Sequence, residues 1–433
     1  MDSEAVLARA RDLGARAGGE PLRALASATL ARIPDDLFLI VRLAIALRDA
    51  GLFAEADAAC EHILRRDPAY SFALYERGVS YTLQGRHAEA LASFARNLEV
   101  VPDDPRTLLF MARLEMRLGR HDASGRTLAR LRALAPGHED LPWLAELDAY
   151  LRDFPAARVE AAARAYEQDP RYAWQDRLTG RVRAALAAGR GFSLVRLGDG
   201  EGAFLRISDA DEARFPNLYR RNRRDRARVW FGGEVDPDAS GFTAMAAGLA
   251  EVVRGADAVG LPYPNWVAHE YRIISPTGIP SLANALRLMP DVDTGQSLCP
   301  QAVHTLMDRD GHLAALLRDQ ARVGVISCHA GLPGLLARDF GLRDVAFHKI
   351  PGEKLHAAAL GPEAVAGRHF PDRFREVMAA LERPLGGRLY LVAGGILGKF
   401  YCDRIKRSGG VALDVGSVVD GWLGADTRAG SAW

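Results

Sequence analysis

The stretch 391-LVAGGILGKFYCDRIKRSGGVALDVGSVVDGW-422 decides how the second half of this chain folds. It closes one apolar run, 388-RLYLVAG-394, and opens another, 410-GVALDVG-416. Three glycines, Gly394, Gly395 and Gly398, and a helix-like segment over 396–407 lie between them. Two neighbouring parallel strands need a crossover, usually a helix, so strand–helix–strand is the unit of a parallel sheet. The same texture runs upstream through FSLVRL (192–197), DAVGLP (257–262), RVGVISC (322–328) and DVAFHKI (344–350). Helices are expected over 176–189, 241–254, 299–319, 332–340, 371–383 and 396–407. The pattern predicts an α/β domain with a mostly parallel sheet.

In such sheets ligands gather at the carboxyl ends of the strands. The first exit, 192-FSLVRLGDGEG-202, places Asp199 and Glu201 among Gly198, Gly200 and Gly202. Carboxylates suit Mg²⁺ or Mn²⁺ beside a diphosphate, and Arg196 could pair with a phosphate or fix the acids. The plainer reading is a polar turn in which Asp199 caps a helix. At the Gly394–Gly398 turn, the free amides of a helix start favour phosphate, and Lys399 could add charge. The turn is neither a P-loop nor a GxGxxG; the plainer reading is a strand–helix turn with glycines for close packing. Asp414 ends a strand and Asp420 follows six residues on; either could be a base, a sugar-hydroxyl acceptor or a helix cap.

Other exits offer weaker candidates. His329 could touch donor phosphate, act as a base or be structural, while Cys328 reads as core. The run 344-DVAFHKIPGEKLH-356 brings His348, Lys349, Glu353 and Lys354, one of which could line a cleft. Six arginines fall in nine residues, 220–228, and read as a solvated helix face or a contact to phosphate or acid. The aromatics of 261-LPYPNWVAHEYR-272 are expected on a loop, where they could pack on a sugar ring.

Together, SLVRLGDGEG and LVAGGILGKFYCDRIKRSGGVALDVGSVVDGW resemble the GT-D class of bacterial glycosyltransferases. The likeness spans about 177–433 and is loosest across 203–320. It implies a Rossmann-like fold, a nucleotide-sugar donor (a UDP-sugar) and a divalent metal, Mn²⁺ or Mg²⁺, on the acidic motif that falls here on Asp199 and Glu201. Such a cation would take up the charge of the departing diphosphate.

Upstream, proline recurs at Pro34, Pro68, Pro102, Pro136 and Pro170, always 34 residues apart. Within 71–104 the chain shows Leu74, Gly78, Tyr81, Gly85, Ala90, Phe94 and Pro102, and the flanking units repeat parts of this series. The pattern resembles the tetratricopeptide repeat, a helix–turn–helix unit of that length. Small residues at Gly78 and Ala90 let two helices approach, and Tyr81 and Phe94 fill the gap. Units over 37–138 are strong; 3–36 and 139–172 look like degenerate end repeats. The expected organisation is therefore a multidomain α plus α/β chain, with a tetratricopeptide-like solenoid over 1–172 and a GT-D-like domain over 173–433.

Composition bounds the function. Hydrophobic residues are 48% and charged residues 26%, enough for a sizeable core. A net charge of +1 argues against nucleic acid as a partner. The richest apolar run, 37-LFLIVRLAIAL-47, is short and carries Arg42, so no transmembrane segment is expected. The acidic, helix-like MDSEAVLARARD is unlike a secretory signal, and four scattered cysteines fit a reducing cytoplasm. The expected function is a cytoplasmic, metal-dependent glycosyltransferase whose repeats recruit an acceptor protein or peptide, such as flagellin or an adhesin. The rivals are transfer to a lipid-linked or capsular glycan, a non-catalytic scaffold with a nucleotide-sensing domain, and a nucleotide hydrolase or phosphotransferase.

Overall fold

The computed structural model describes residues 3–14, 19–288, 295–425 and 427. It divides into two compact units, Met1–Leu141 and Pro142–Trp433. The division falls one helix pair before the expected boundary at 172. Helices Leu141–Asp153 and Ala156–Glu167 bond within the second unit, where Tyr271 Oη donates to the carbonyl of Phe154 and Tyr166 Oη to that of Leu286. Among the described residues no helix is long and apolar enough to cross a membrane.

The first unit is a series of helix pairs. Its first helices are Ser3–Gly14, Leu37–Asp49, Ser71–Leu83 and Pro105–Arg117, each starting 34 residues after the last. Their partners are Glu20–Arg32, Phe53–Arg66, His87–Val100 and His121–Leu134. Gly51, Gly85 and Gly119 end the first helices at φ of 75°, 75° and 67°, a conformation that costs other residues more. The period extends to side chains. His62, Arg96 and Arg130, again 34 apart, bond the carbonyls of Pro34, Pro68 and Pro102.

Close approach of paired helices depends on Gly78. A Cβ there would stand 2.5 Å from the ring of Phe94, which is fully buried and has no room to yield. Gly78→Ala should therefore destabilise the first unit by roughly 1–3 kcal/mol, the usual cost of overpacking. Urea unfolding followed by far-ultraviolet circular dichroism reads this as an earlier first transition.

The second unit is built on one seven-stranded parallel sheet. Its strands are β1 (Phe192–Arg196), β2 (Ala258–Leu261), β3 (Ser297–Pro300), β4 (Arg322–Ser327), β5 (Asp344–Lys349), β6 (Leu389–Val392) and β7 (Val411–Asp414). Their order is β3-β2-β1-β7-β6-β4-β5. Period-two alternation splits the core between the two faces. Leu194, Val325, Leu391 and Leu413 pack on one side with Leu178, Val303 and Leu335. Val195, Ile326, Tyr390 and Ala412 pack on the other with Phe231, Phe400 and Tyr401. Each large apolar side chain so buried contributes about 1.5–3 kcal/mol.

Two expectations are corrected here. The segment 261–272 is not a loop: Pro264 opens a helix, Pro264–Ile273. Proline suits that first position because its fixed φ is helical and its missing N–H is not needed there. The expected helix 299–319 begins instead as β3 and then splits into Val303–Arg309 and His312–Arg318, parted by Gly311 at φ 76°.

Candidate functional site

The carboxyl ends of the central strands open into a cleft of about 510 Å³. Arg196 and Asp414 are the last residues of β1 and β7, and these strands are paired. Arg196 donates from Nη2 to Asp414 Oδ1 at 3.0 Å and from Nε to the Asp414 carbonyl at 3.0 Å. Lys399 stands one turn into the helix Gly395–Arg407, which begins where β6 ends. Its Nζ lies 2.8 Å from Asp414 Oδ2 and 2.6 Å from Glu201 Oε1. Glu201 Oε2 in turn accepts from the Gly198 amide at 3.0 Å. Two cations and two carboxylates are thus buried in one neutral cluster. An unpaired charge at this depth costs several kcal/mol, so these groups persist only together.

Glycines make the room. A Cβ on Gly416, whose φ is 50°, would fall 2.2 Å from Arg196 Nη2. One on Gly202 would fall 2.0 Å from the Ser281 carbonyl, so the turn carrying both acids sits directly on the backbone of its neighbour.

The cluster sets its own protonation. Burial pushes Asp414 up, but Arg196 and Lys399 outweigh it and hold the carboxyl at about 2. Burial would also strip Lys399; Asp414 and Glu201 keep it above its ordinary value. Burial and then Arg196 drive His304 well below the usual histidine range, so its ring is neutral, with its nitrogens 3.0 and 3.1 Å from Arg196 Nη1. His329 moves the other way: hydrogen bonds to Asp420 and then to Cys328 push it up to about 10.

These shifts fix a pH dependence. A depressed carboxyl stabilises the fold above its unfolded pKa and loses that effect as pH falls through the folded value. A raised histidine stabilises below its unfolded pKa and loses the effect as pH rises through the folded value. The second unit should lose stability between about pH 4 and 2, on the order of 2 kcal/mol from Asp414, and again between about pH 6.5 and 10. Residues 1–141 contain no tryptophan, so tryptophan fluorescence in urea leaves the first unit unseen. A flat midpoint across both windows would contradict the assignment.

Asp199 faces the same cleft. Its Oδ2 lies 2.6 Å from Arg226 Nη2, and its side chain keeps 33% of its exposure. Arg226 belongs to helix Pro216–Phe231, which carries the arginine run, and it also donates to Thr277. The run divides its duties. Arg226 enters the site, Arg223 bonds Glu212, Arg224 pairs with Asp238, and Arg220 and Arg228 are exposed.

The Gly394–Gly395 turn lines the cleft with Ile396, Gly395 at φ 54°. Gly398, expected beside them, does not line it. It lies inside the helix, where a Cβ would press on Val392, and its amide donates to the Gly394 carbonyl. Asp420 lines the cleft, and His329 Nε2 stands 2.8 Å from its Oδ1. Of the four candidates over 348–354, Glu353 alone lines the cleft, accepting from Trp230 Nε1. His348 stacks on Tyr390, Lys349 pairs with Glu363, and Lys354 bonds the carbonyls of Val365 and Gly367.

Other site residues were visible in the sequence only as members of a longer run, as Trp266 was among the aromatics of 261–272, or not at all. Trp230 and Trp266 flank the acidic turn, close enough that a Cβ on Gly200 or Gly198 would meet them at 2.6 and 3.2 Å. Gln301 and His304 follow β3, a strand the sequence did not reveal. Among the described residues Gln301 Oε1 and Arg226 Nε are buried with no partner. Buried polar atoms are nearly always bonded, so a bound water or a polar ligand would complete these two.

The acidic pair is not free to hold a divalent ion as it stands. Both oxygens of Glu201 are engaged, one by an ammonium. Asp199 carries Arg226 on its Oδ2. A cation on this pair therefore needs Glu201 to part from Lys399.

Residues 81–146 match the Tetratricopeptide repeat family. Two crystal structures of MamA are similar over 32% and 36% of this chain and 80% and 86% of theirs, each at 14% identity and a TM-score of 0.29. A mutant O-GlcNAc transferase of Thermobaculum terrenum is similar over 92% of this chain and 76% of that one, at 15% identity and a TM-score of 0.27. Scores this low carry no argument about this chain. No curated protein matches it.

Proposed function

We propose that the second unit is a glycosyltransferase that moves a sugar from a nucleoside diphosphate sugar, a UDP-sugar, to an acceptor in the cytoplasm. The observation that carries this reading is a buried ammonium, Lys399, beside a glycine turn at a helix start, inside a cleft with two orphaned polar atoms. Helix-start amides and a fixed ammonium favour the oxygens of a diphosphate. Trp230 and Trp266 offer flat apolar walls for a base or a sugar.

Charge balance bears on the metal. The cluster is neutral as it stands, and a diphosphate brings negative charge into it. Asp199, and Glu201 once released from Lys399, would hold a divalent ion, Mn²⁺ or Mg²⁺, which would supply neutralising charge for the leaving diphosphate. Asp414, expected as a base, is assigned another task. A carboxylate held at about 2 by two cations accepts a proton poorly, so it anchors Lys399 and Arg196.

The first unit is proposed to hold the acceptor, a protein or peptide such as flagellin or an adhesin. Phe38 and Phe72 support this. They occupy equivalent places in successive repeats and are 60% and 48% exposed. Such side chains contribute little to a core and much to a contact. Phe38→Ala/Phe72→Ala should leave UDP release in the absence of acceptor within twofold of wild type. Transfer to protein should fall by about tenfold, the effect of losing roughly 1.4 kcal/mol of binding. Radiolabelled sugar appearing in protein at an unchanged rate would remove the repeats from acceptor recognition. Failure of every UDP-sugar to turn over would count against the transferase itself.

A further inference from the structure

We infer that Cys328, His329 and Asp420 form a binding site for a zinc-class divalent ion, separate from the acidic pair Asp199 and Glu201. It does not depend on the transferase reading. β4 ends at Ser327 and releases Cys328 and His329 at its exit. The short helix Val418–Trp422 supplies Asp420 from the far side of the sequence. A thiol sulfur, a ring nitrogen and a carboxylate oxygen from these residues lie within 4.8 Å of one another. Thiolate, imidazole and carboxylate together are the donors that zinc and cobalt take, and three protein ligands leave the fourth corner of a tetrahedron open.

The surroundings favour a built site over a chance meeting. Asp420 Oδ2 accepts from Thr427 Oγ1 at 2.7 Å, which leaves Oδ1 turned to His329. Outer hydrogen bonds of this kind orient the ligands of metal sites. Gly352 seats the thiol, since a Cβ there would stand 3.0 Å from Cys328 Sγ. Cys328 and Asp420 both line the cleft, so the open corner faces it. Binding replaces protons: the thiol proton and the proton on the ligating ring nitrogen of His329 leave to solvent, and the ion takes their place. The contrast with the acidic pair is chemical. There an ammonium and a guanidinium already sit on the carboxylates; here, among the described residues, no cationic side chain other than His329 itself is bonded to the three donors.

The test uses the full chain, stripped with a chelator and titrated with Co²⁺ alone. The expected result is one equivalent bound with a thiolate-to-cobalt absorption band, bleached when Zn²⁺ is added. Cys328→Ser should abolish the band. His329→Ala and Asp420→Asn should each weaken binding more than tenfold, and Asp199→Ala/Glu201→Ala should leave the band intact. Tryptophan fluorescence confirms that each variant is folded. Zn²⁺ should also slow alkylation of Cys328 by iodoacetamide. No cobalt–thiolate band in the wild type, a band lost in the acidic-pair variant instead, or alkylation indifferent to Zn²⁺ would each overturn the site.

Discussion

Lys399→Met should lower the stability of the second unit by about 3–5 kcal/mol, the usual cost of breaking a buried ion pair by removing one partner. The side chain is 3% exposed, and it is the common partner of Asp414 and Glu201. Methionine fills a similar volume, so the loss is one of charge and not of packing. Arg196 remains on Asp414, but Glu201 keeps only the Gly198 amide. One carboxyl should then take up a proton, so the variant should become less sensitive to acid between about pH 4 and 2, where ordinary carboxyls and Asp414 titrate. Thermal unfolding by tryptophan fluorescence should show a midpoint lower by roughly ten degrees. An unchanged midpoint would mean that the cluster contributes nothing to the fold.

Asp199→Ala/Glu201→Ala should reduce sugar transfer by about 10²–10³-fold, the effect of removing one electrostatic contact to developing charge. The two acids differ in what else they do. Asp199 is a third exposed and holds one side chain, Arg226, whereas Glu201 is buried and holds Lys399. Asp199→Ala alone should thus cost activity with little change in stability. Glu201→Ala should cost both, as it leaves Lys399 with Asp414 alone. Initial rates over a Mn²⁺ series, set beside the unfolding midpoint of each variant, separate the two effects. Full activity in the double variant would remove the acids from the chemistry.

Much of this fold was legible because it is written in short-range patterns. The repeat period shows in Pro34, Pro68 and Pro102, and each of these carbonyls indeed receives a side chain from the next unit. Six strands showed as Val- and Leu-rich runs. β3 did not, since 297-SLCP-300 is four residues with no β-branched side chain and ends in proline. Missing it hid Gln301 and His304, which stand at its exit. The acidic turn was legible, but its partners were not. Lys399 lies 198 positions from Glu201, and Arg226 stood among five other arginines with nothing local to mark it. Trp266 lay among the aromatics singled out over 261–272, but its place on a helix and its meeting with Trp230 from another helix were not legible. Contacts of that range are set by the sheet order, which no single segment encodes.

The central claim is that the cleft at the strand ends binds a nucleoside diphosphate sugar. Isothermal titration of the full chain with UDP-sugars, with and without Mn²⁺, measures this directly. We expect one site per chain, tighter with Mn²⁺ than without, and weakened at least tenfold by Asp199→Ala/Glu201→Ala. Heat of binding that is absent for every sugar nucleotide tried, or identical in the wild type and the double variant, would contradict it.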